Sequence, residues 1–301
     1  MPPNVDFIGA DLKGEHHGIA GLNRLFGQLQ ARHFDAVADL HDVLRSIYLR
    51  WRFRLAGVPM AHIDKGRKGK KQLVSATHKK LIPQKTSFER YADVLHRLGI
   101  AFTPQFTSLF GPDGGDLNLT AHVTGIKEEG TRWIGIAPFA AHQGKVYPLD
   151  KMEEVIRMLD AGSHQRIFLF GAGPKEKEIL EKWEKQFAHV LSLAGKLKMD
   201  AELIVMSHLD VMLSMDSANM HLASLTGIPV LSIWGATHPY AGFMGWNQPY
   251  HRAIQTHLPC RPCSIYGNKP CLRHDYACLT SIEPHMVVAH INQQLNETRD
   301  K

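Results

Sequence analysis

The sequence predicts an α/β protein with two parallel, doubly wound sheets, the first of them incomplete. Short apolar runs of strand length alternate with helical patterns along the chain, and the connections between them are short. A length of 301 residues favours two domains. A hydrophobic content of 44% and a charged content of 21% are typical of a soluble globular protein. We expect domains at residues 1–120 and 121–301, the second ending in a cysteine-containing segment.

The first region alternates strands and helices less regularly than the second. Helical patterns cover residues 18–32, 44–55 and 87–98, and strand patterns cover residues 5–8 and 34–40. The third helix has a start signal, Thr86 or Ser87 followed by Glu89. Residues 103–120 are rich in glycine, proline and polar side chains and are predicted to link the two domains.

The second region is a cleaner series of strand–helix units. Strands are predicted at residues 133–138, 166–170, 190–193, 211–215 and 230–234. Helices are predicted at residues 149–159, 175–187, 199–207 and 220–226. Such repeated alternation predicts a parallel sheet with helices on both faces.

Positive charge is concentrated in one segment of the first region. The formal net charge is +6, and residues 65–71 and 78–80 form a dense basic run. This run is either a solvated loop or a surface for a phosphorylated acceptor or anionic lipid. No aromatic side chain interleaves with its lysines, which argues against single-stranded nucleic acid as a partner.

Two features that the sequence lacks, a membrane-spanning run and a signal peptide, indicate the cellular compartment. No apolar run approaches the ~20 residues that cross a bilayer, and the first residues lack the basic and apolar regions of a signal peptide. We expect a cytoplasmic protein that could contact the inner face of the inner membrane.

The segment after the strand at residues 211–215 is the most informative. Asp216 and Ser217 stand where the strand gives way to a helix, so a carboxylate, a hydroxyl and free helix amides converge at one sheet edge. Open α/β sheets bind ligands at this edge, and a helix N-terminus suits phosphate. An ordinary unit in which Asp216 or Ser217 caps the helix explains the pattern equally well.

The glycine-containing turn at residues 171–174 is only a weak signal for dinucleotide binding. Gly171-Ala172-Gly173-Pro174 lacks the third glycine of a dinucleotide fingerprint, and Pro174 suits the first position of a helix. The turn therefore gives little support for a dehydrogenase that binds NAD.

Several motifs of the second region occur in the order found in a known enzyme family. They are Ala137-Pro138-Phe139 with Gly144-Lys145, Phe168-Leu169-Phe170-Gly171, Leu193-Ala194-Gly195-Lys196, Asp216-Ser217 with His221-Leu222-Ala223, Gly227-Ile228-Pro229-Val230 and Trp234-Gly235-Ala236-Thr237. This series resembles the bacterial lipopolysaccharide heptosyltransferases, which are inverting enzymes of glycosyltransferase family 9. The resemblance implies the GT-B fold, two Rossmann-like domains facing a cleft.

The resemblance also implies a donor site. It implies that Lys145, which follows Gly144, binds the donor diphosphate, and that Thr237 is a second contact to the diphosphate or the heptose. It also implies that Glu202 binds the nucleotide ribose and that the loop at Gly195 and Lys196 binds the adenine. From the residues alone, Lys145 could be a solvated loop lysine, and Glu202 a carboxylate that favours a helix start.

The remaining donor-side and acceptor-side residues follow from the same comparison. Asp216 would bind sugar hydroxyls, and Ser217 would bind the phosphates. His221 either contacts the donor as well or holds the turn in place. On the acceptor side, Asp39-Leu40-His41 followed by Arg45-Ser46 is similar to a segment of the family that faces the cleft. We select His41, Arg45 and, from the basic run, Lys68, and we note that Asp39 and Ser46 also suit local caps.

All four cysteines lie near the C-terminus. Cys260, Cys263, Cys271 and Cys278 have a spacing that permits a structural zinc site. Packed or free thiols are the competing interpretation, and disulfides fit a cytosolic setting poorly.

The chain departs from the family at its beginning. Family members open with a strand and an R-x-S-x-x-G-D loop whose aspartate is the proposed catalytic base, and nothing similar lies near Met1. The first domain therefore looks truncated, and the catalytic residue is unknown. Asp6, Asp11 and Asp39 are the replacements that the sequence offers.

The sequence thus predicts an inverting transfer of a sugar from a nucleotide diphosphate, ADP-heptose by resemblance, to a lipopolysaccharide-core or related anionic glycan acceptor. No D-x-D pair stands at the expected strand end, so we expect no metal or other cofactor in the reaction. The alternatives are a non-catalytic nucleotide-sugar-binding protein and a nucleotide-sugar epimerase, which shares the architecture.

Overall fold

A computed structural model of the protein describes residues 4–162 and 164–299. The α-helices are α1 (Gly18–Gln30), α2 (Leu44–Leu55), α3 (Arg67–Leu73), α4 (Ser87–Arg97), α5 (Ala121–Thr124), α6 (Leu149–Asp160), α7 (Pro174–Gln186), α8 (Met199–Ser207), α9 (Ala218–Leu225), α10 (Ala277–Thr280) and α11 (Pro284–Arg299). The strands are β1 (Val37–Asp39), β2 (Met60–His62), β3 (Arg132–Ala137), β4 (Gln165–Leu169), β5 (Val190–Ser192), β6 (Val211–Met215), β7 (Val230–Ile233) and β8 (Ala253–Ile254).

The main sheet has six parallel strands in the order β5-β4-β3-β6-β7-β8. The chain runs outward from β3 to β5 and then returns to the other side of β3 with β6. The strand order therefore reverses between β3 and β6. At such a switch point the loops after the two strands diverge and leave a crevice at their carboxyl ends.

Both faces of the main sheet are buried, as nearly continuous apolar strands require. On one face Ile134, Ile136 and Leu213 pack with α6, α7 and α11. On the other face Phe168 and Met212 pack with α8 and α9. The arrangement is doubly wound, as the sequence predicts.

The chain divides into two compact units. One comprises Met1–Lys65 and Ser87–Pro104, and the other comprises Gly66–Thr86 and Gln105–Lys301. The first unit holds a two-stranded parallel sheet, β1 paired with β2, together with α1, α2 and α4. The second unit holds the main sheet and also α3. These bounds differ from residues 1–120 and 121–301 because residues 66–86, which include the basic segment, and residues 105–120 group with the main sheet.

Most predicted elements match observed ones, with ends that differ by a few residues. One expectation is wrong. The predicted strand at residues 5–8 is irregular, and its apolar side chains Val5, Phe7 and Ile8 are exposed. Of the two interpretations of the basic run, a simple loop does not describe residues 67–73, since Arg67–Leu73 is helical and the Lys70 ammonium lies 4.3 Å from the centre of the Phe243 ring.

Within the described residues, no helix has both the length and the apolar character needed to cross a membrane.

The loop after β7 is clamped by a buried arginine. Arg261 is 4% exposed, and its guanidinium donates hydrogen bonds to the carbonyl oxygens of Trp234 at 3.0 Å, Gly235 at 2.5 Å and Thr237 at 3.0 Å. Burial lowers the pKa of Arg261, which the nearby cysteines partly offset. The cysteine-containing segment therefore fixes the loop that lies next to the switch point.

The backbones of two loops lie so close together in this region that there is no room for a side chain at position 235. A Cβ at Gly235 would lie 2.5 Å from the carbonyl oxygen of Gly144. That same oxygen accepts a hydrogen bond from Ala236 N at 2.8 Å. Glycine at position 235 lets the loop after β3 and the loop after β7 join directly.

We predict that Gly235→Ala destabilises the protein by about 2 kcal/mol, because backbone atoms must move to admit the methyl group. Gly111→Ala is the matched control, since no atom lies within 4 Å of its added Cβ. The control should stay within about 0.5 kcal/mol of the wild type. Urea unfolding measures both variants, and equal stabilities would contradict the packing argument.

Candidate functional site

A lysine and an aspartate meet at the switch point of the main sheet. Lys145 follows β3 and Asp216 follows β6, the two strands between which the order reverses. Lys145 Nζ lies 3.0 Å from Asp216 Oδ2 and donates a hydrogen bond to the Asp216 carbonyl oxygen at 3.1 Å. The aspartate is 4% exposed, whereas the lysine side chain keeps 15% of its surface exposed. The pair places a cation at the floor of the crevice.

The N-terminus of α9 adds further positive potential beside this pair. Ser217 occupies the N-cap position, but its side chain makes no capping hydrogen bond, and its Oγ lies 3.2 Å from Ser214 Oγ. The first amides of α9 are therefore available to solvent or to an anion. A phosphate group suits such a helix end next to a lysine.

Glu202 lies in the first turn of α8 and lines the same cavity as Lys145 and Asp216. Burial raises the pKa of its carboxyl to about 7. No hydrogen bond or ion pair to this carboxyl occurs in the part of the chain that the structure describes. A half-buried carboxyl group without a partner suits a ligand that donates hydrogen bonds, such as a pair of hydroxyls.

His221 lies one turn into α9, near both members of the ion pair. Burial and the Lys145 charge lower the pKa of its imidazole, and the Asp216 charge opposes them. The ring is therefore neutral at neutral pH and can act as a hydrogen-bond donor or acceptor.

These side chains share a cavity of about 670 Å³ in the second unit. Its lining residues are Phe139, Ala140, Ala141, Lys145, Gly171, Ala172, Glu176, Met199, Glu202, Asp216, Ser217, Ala218, Asn219, His221, Leu222, Phe243 and Tyr266. Five residues selected from the sequence are therefore together here, namely Lys145, Glu202, Asp216, Ser217 and His221.

Four other selected residues do not line this cavity. Gly144 is buried, and a Cβ there would lie 2.9 Å from the carbonyl oxygen of Gly267, so its closest approach is to protein. Thr237 is fully buried, and its Oγ1 has no hydrogen-bond partner among the described residues. Gly195 and Lys196 are exposed, and Lys196 Nζ pairs with Glu184 at 2.5 Å.

The three residues selected for the acceptor are all exposed. His41 and Arg45 lie in the first unit, at the end of β1 and the start of α2. Lys68 lies on α3, which belongs to the second unit.

The three candidate catalytic aspartates all have local partners. Asp39 is buried and accepts hydrogen bonds from the amides of His41 and Asp42 and from Arg50 Nη1. Burial raises the pKa of Asp39, but the two amide hydrogen bonds and the Arg50 charge outweigh it and hold that pKa below its usual value. Asp11 accepts hydrogen bonds from the amides that follow it, and the Asp6 carboxylate lies 3.0 Å from Arg32 Nη1. Each carboxylate thus has at least one local polar contact.

Sequence reasoning missed the aromatic wall of the cavity. Phe243 and Tyr266 lie in loops, and their ring centroids are 5.8 Å apart. No periodic pattern or family motif marks either residue. Their position depends on long-range packing, including the approach of Lys70 to Phe243.

The cysteines are all free thiols. In the part of the chain that the structure describes, no three histidine, cysteine, aspartate or glutamate side chains gather as a metal ion would require. The zinc interpretation of Cys260, Cys263, Cys271 and Cys278 therefore gains no support. Lys79 Nζ donates hydrogen bonds to the carbonyl oxygens of Cys260 and Pro262, at 2.9 and 2.7 Å, and holds this segment instead.

We predict that the ion pair at the switch point matters for stability as well as for binding. Lys145→Met leaves the Asp216 carboxylate buried without its cation, which should cost about 3 kcal/mol in unfolding free energy. Adding Asp216→Asn should recover most of this loss, because the second change removes the buried charge. Urea unfolding of both single variants and the double variant, compared with the wild type, gives a double-mutant cycle for this pair.

The control for this cycle is Lys177→Met. Lys177 lies 3.6 Å from Glu181 in a pair whose side chains are 48% and 40% exposed, so its loss should cost under about 1 kcal/mol. A double variant no more stable than Lys145→Met would contradict the predicted coupling between Lys145 and Asp216.

Comparison with known proteins identifies relatives of this chain. The model of glycosyltransferase family 9 (heptosyltransferase) matches residues 22–271. Lipooligosaccharide heptosyltransferase 2 of Campylobacter jejuni serotype O:6 is 23% identical over 172 residues, which are 56% of this chain and 53% of that protein. Its counterpart in serotype O:2 is 22% identical over 177 residues, 58% and 54% of the two chains. The chain thus spans about half the length of the curated relatives it matches.

Solved structures show the same fold. A glycosyltransferase of family 9 from Veillonella parvula has a TM-score of 0.71 at 18% identity and covers 98% of this chain and 84% of its own. The E. coli ADP-heptose lipopolysaccharide heptosyltransferase II has a TM-score of 0.66 at 16% identity, with 97% and 83% covered. E. coli heptosyltransferase WaaC with ADP has a TM-score of 0.59 at 19% identity, with 95% and 79% covered. The fold is therefore that of the GT-B heptosyltransferases, and the chain belongs to glycosyltransferase family 9, the heptosyltransferase family.

Proposed function

We propose that this protein transfers a heptose from ADP-heptose to a hydroxyl of a lipooligosaccharide or lipopolysaccharide core, with inversion at the anomeric carbon. Family membership supports the reaction class. E. coli WaaC, solved with ADP and with ADP-2-deoxy-2-fluoro heptose, supports the donor, and the Campylobacter relatives support the acceptor. The observation that carries the proposal is the cation at the switch point beside uncapped helix amides.

The donor diphosphate would bind Lys145 and the first amides of α9. Lys145 is held at the crevice floor by Asp216, yet part of its side chain is exposed and can reach a ligand. When a diphosphate approaches, the ammonium can interact with both anions, while the Asp216 carboxylate accepts hydrogen bonds from sugar hydroxyls. The amides of α9 complete the site without a side-chain charge.

The ribose would bind Glu202, whose carboxyl otherwise has no partner within the described residues. Deprotonated, this carboxylate can accept hydrogen bonds from two adjacent hydroxyls. The adenine would then lie toward the loop at Gly195 and Lys196, by resemblance to the family.

In the reaction, the acceptor hydroxyl oxygen attacks the anomeric carbon as the bond from that carbon to the β-phosphate oxygen breaks. The acceptor oxygen loses its proton to a base, and ADP leaves with the electron pair of the broken bond. Lys145 and the α9 amides stabilise the charge that develops on the leaving diphosphate. Because these groups supply positive charge, we propose chemistry that needs no metal, in the cytoplasm where the nucleotide sugar is available.

A second candidate is a nucleotide-sugar-binding protein without turnover. It is favoured by one observation, that Asp6, Asp11 and Asp39 are all engaged in local contacts. We therefore assign none of them as the base that would accept the hydroxyl proton.

We predict that ADP affinity depends on the protonation of Glu202. Since the carboxyl has a pKa of about 7 and the ribose requires the carboxylate, affinity should be roughly tenfold weaker at pH 6 than at pH 8. Affinity thus rises with pH through this pKa and then levels off. Calorimetry on the wild type and Glu202→Gln measures the effect.

The phosphate of ADP titrates in both proteins, so the difference between the two profiles reports Glu202 alone. Identical profiles for the wild type and the variant would remove Glu202 from the ribose site.

We predict that the protein converts ADP-heptose and a heptose-deficient core acceptor into ADP and a product one heptose heavier. Mass spectrometry detects the product, and NMR of the new linkage should show the opposite anomeric configuration to the donor. The variant Lys145→Met, combined with Asp216→Asn to spare the fold, should lower kcat/KM by at least about 100-fold. Lys182→Met, which changes a lysine of α7 that is 69% exposed, should leave it unchanged.

Saturable ADP binding with no product under any acceptor would support the binding protein and reject the transferase. The absence of both binding and product would reject the donor site itself.

A further inference from the structure

The cavity of about 670 Å³ extends along the edge of the main sheet, on both sides of the switch point. The strands stand in the order β5-β4-β3-β6-β7-β8, and the loops that follow parallel strands meet at one edge. Lys145 and Asp216 follow the central strands β3 and β6. Glu202 comes after β5 on one side, whereas Phe243 and Tyr266 come after β7 and β8 on the other. A ligand centred on the ion pair therefore has two separate directions in which to extend.

The proposed donor determines which part of the ligand takes which direction. A ribose at Glu202 places the nucleoside on the β5 side, and a diphosphate at Lys145 lies at the centre. Because the diphosphate joins the nucleoside to the sugar, the sugar must continue toward β7 and β8. It would then meet the two aromatic side chains of the cavity, Phe243 and Tyr266.

Phe243 is held in place by its neighbours in the second unit. Its ring is half-buried, and the Lys70 ammonium lies 4.3 Å from the ring centre. The preceding residue, Gly242, has a φ of 83°, and a Cβ there would overlap the carbonyl oxygen of Lys85. Close backbone packing thus fixes the chain where the Phe243 side chain begins.

Tyr266 is held by its turn, although its side chain is exposed. Ser264 Oγ accepts a hydrogen bond from Gly267 N at 2.9 Å and lies 3.2 Å from Asn268 Oδ1. Gly267 in turn packs on Lys145, since a Cβ there would lie 2.6 Å from Lys145 Cγ. The backbone therefore places Tyr266 directly beside the lysine that would bind the diphosphate.

The Tyr266 side chain has both a free surface and a free hydroxyl. It is 54% exposed, and its ring centre lies 5.8 Å from that of Phe243 at an angle of 32°. No hydrogen bond to the Tyr266 hydroxyl occurs within residues 4–162 and 164–299. A tyrosine so placed can offer a ligand an apolar face and a polar tip together.

We propose that Tyr266, supported by Phe243, binds the sugar of the donor and makes the site prefer a nucleotide sugar to the free nucleotide. The C–H groups of a pyranose ring would pack on the Tyr266 face, where the π electrons concentrate negative charge. The Tyr266 hydroxyl would exchange a hydrogen bond with a sugar hydroxyl. This inference rests on the proposed function and deepens it, because it assigns a sugar contact that no motif of the sequence marks.

The test compares two ligands that differ by the sugar, ADP and ADP-2-deoxy-2-fluoro heptose, by calorimetry on the full chain. Tyr266→Ala should weaken binding of the fluoro sugar nucleotide roughly tenfold and change ADP affinity by less than about twofold. Tyr266→Phe keeps the ring and loses only the hydroxyl, so it should weaken the sugar nucleotide by about threefold.

The control is Tyr250→Ala. Tyr250 is 44% exposed and does not line the cavity, so the variant should bind both ligands like the wild type. Because Tyr266 is exposed and its turn is held by Ser264 and Gly267, the Tyr266 variants should unfold at the same urea concentration as the wild type.

Two results would overturn the assignment while leaving the donor site intact. Unchanged affinity of Tyr266→Ala for both ligands would remove Tyr266 from the sugar. An equal loss for ADP and the sugar nucleotide would assign the ring to the nucleotide instead. Failure of the folded wild type to bind either ligand is a different outcome, which would reject the proposed function and this inference with it.

Discussion

The ion pair between Lys145 and Asp216 joins the two loops that flank the switch point of the main sheet. Its position follows from topology, because β3 and β6 are the adjacent strands at which the chain reverses its order. The buried Asp216 carboxylate lies 3.0 Å from the Lys145 ammonium, and this contact aims the lysine at the crevice. One contact therefore couples the stability of this region to its capacity for binding an anion. The diphosphate of the proposed donor would share a cation that the fold also needs.

The segment after the main sheet supports this contact from behind. Gly267 adopts a positive φ of 74°, and a Cβ there would lie 2.6 Å from Lys145 Cγ, so the lysine stem packs directly on backbone. Arg261 fixes the carbonyl groups of Trp234 and Gly235, which in turn pack on the loop that carries Lys145. The cysteine-containing segment thus positions the lysine through packing and hydrogen bonds.

Sequence patterns predicted β3 to β7 and α6 to α9 well because each of these elements has a local signal. The helix of residues 199–207 and the strand of residues 211–215 match α8 and β6, and Pro174 is the first residue of α7. Parallel connectivity then brought Lys145, Glu202, Asp216, Ser217 and His221 to one edge, as the family motifs implied. Long-range contacts have no such local signal, so Phe243 and Tyr266 were missed. The strand predicted at residues 5–8 failed because an apolar alternation cannot form a strand without a neighbour, and β1 pairs with β2 in the described residues.

The central claim is that the crevice at the switch point binds a nucleoside diphosphate through Lys145. Calorimetric titration of ADP, UDP and GDP into the wild type and into the double variant Lys145→Met with Asp216→Asn tests it most directly. The double variant removes the cation without leaving a buried charge, so a loss of binding cannot be attributed to unfolding. We predict saturable binding of ADP to the wild type and at least tenfold weaker binding to the double variant. Equal ADP affinity in the two proteins, or no ADP binding by the folded wild type, would contradict the account.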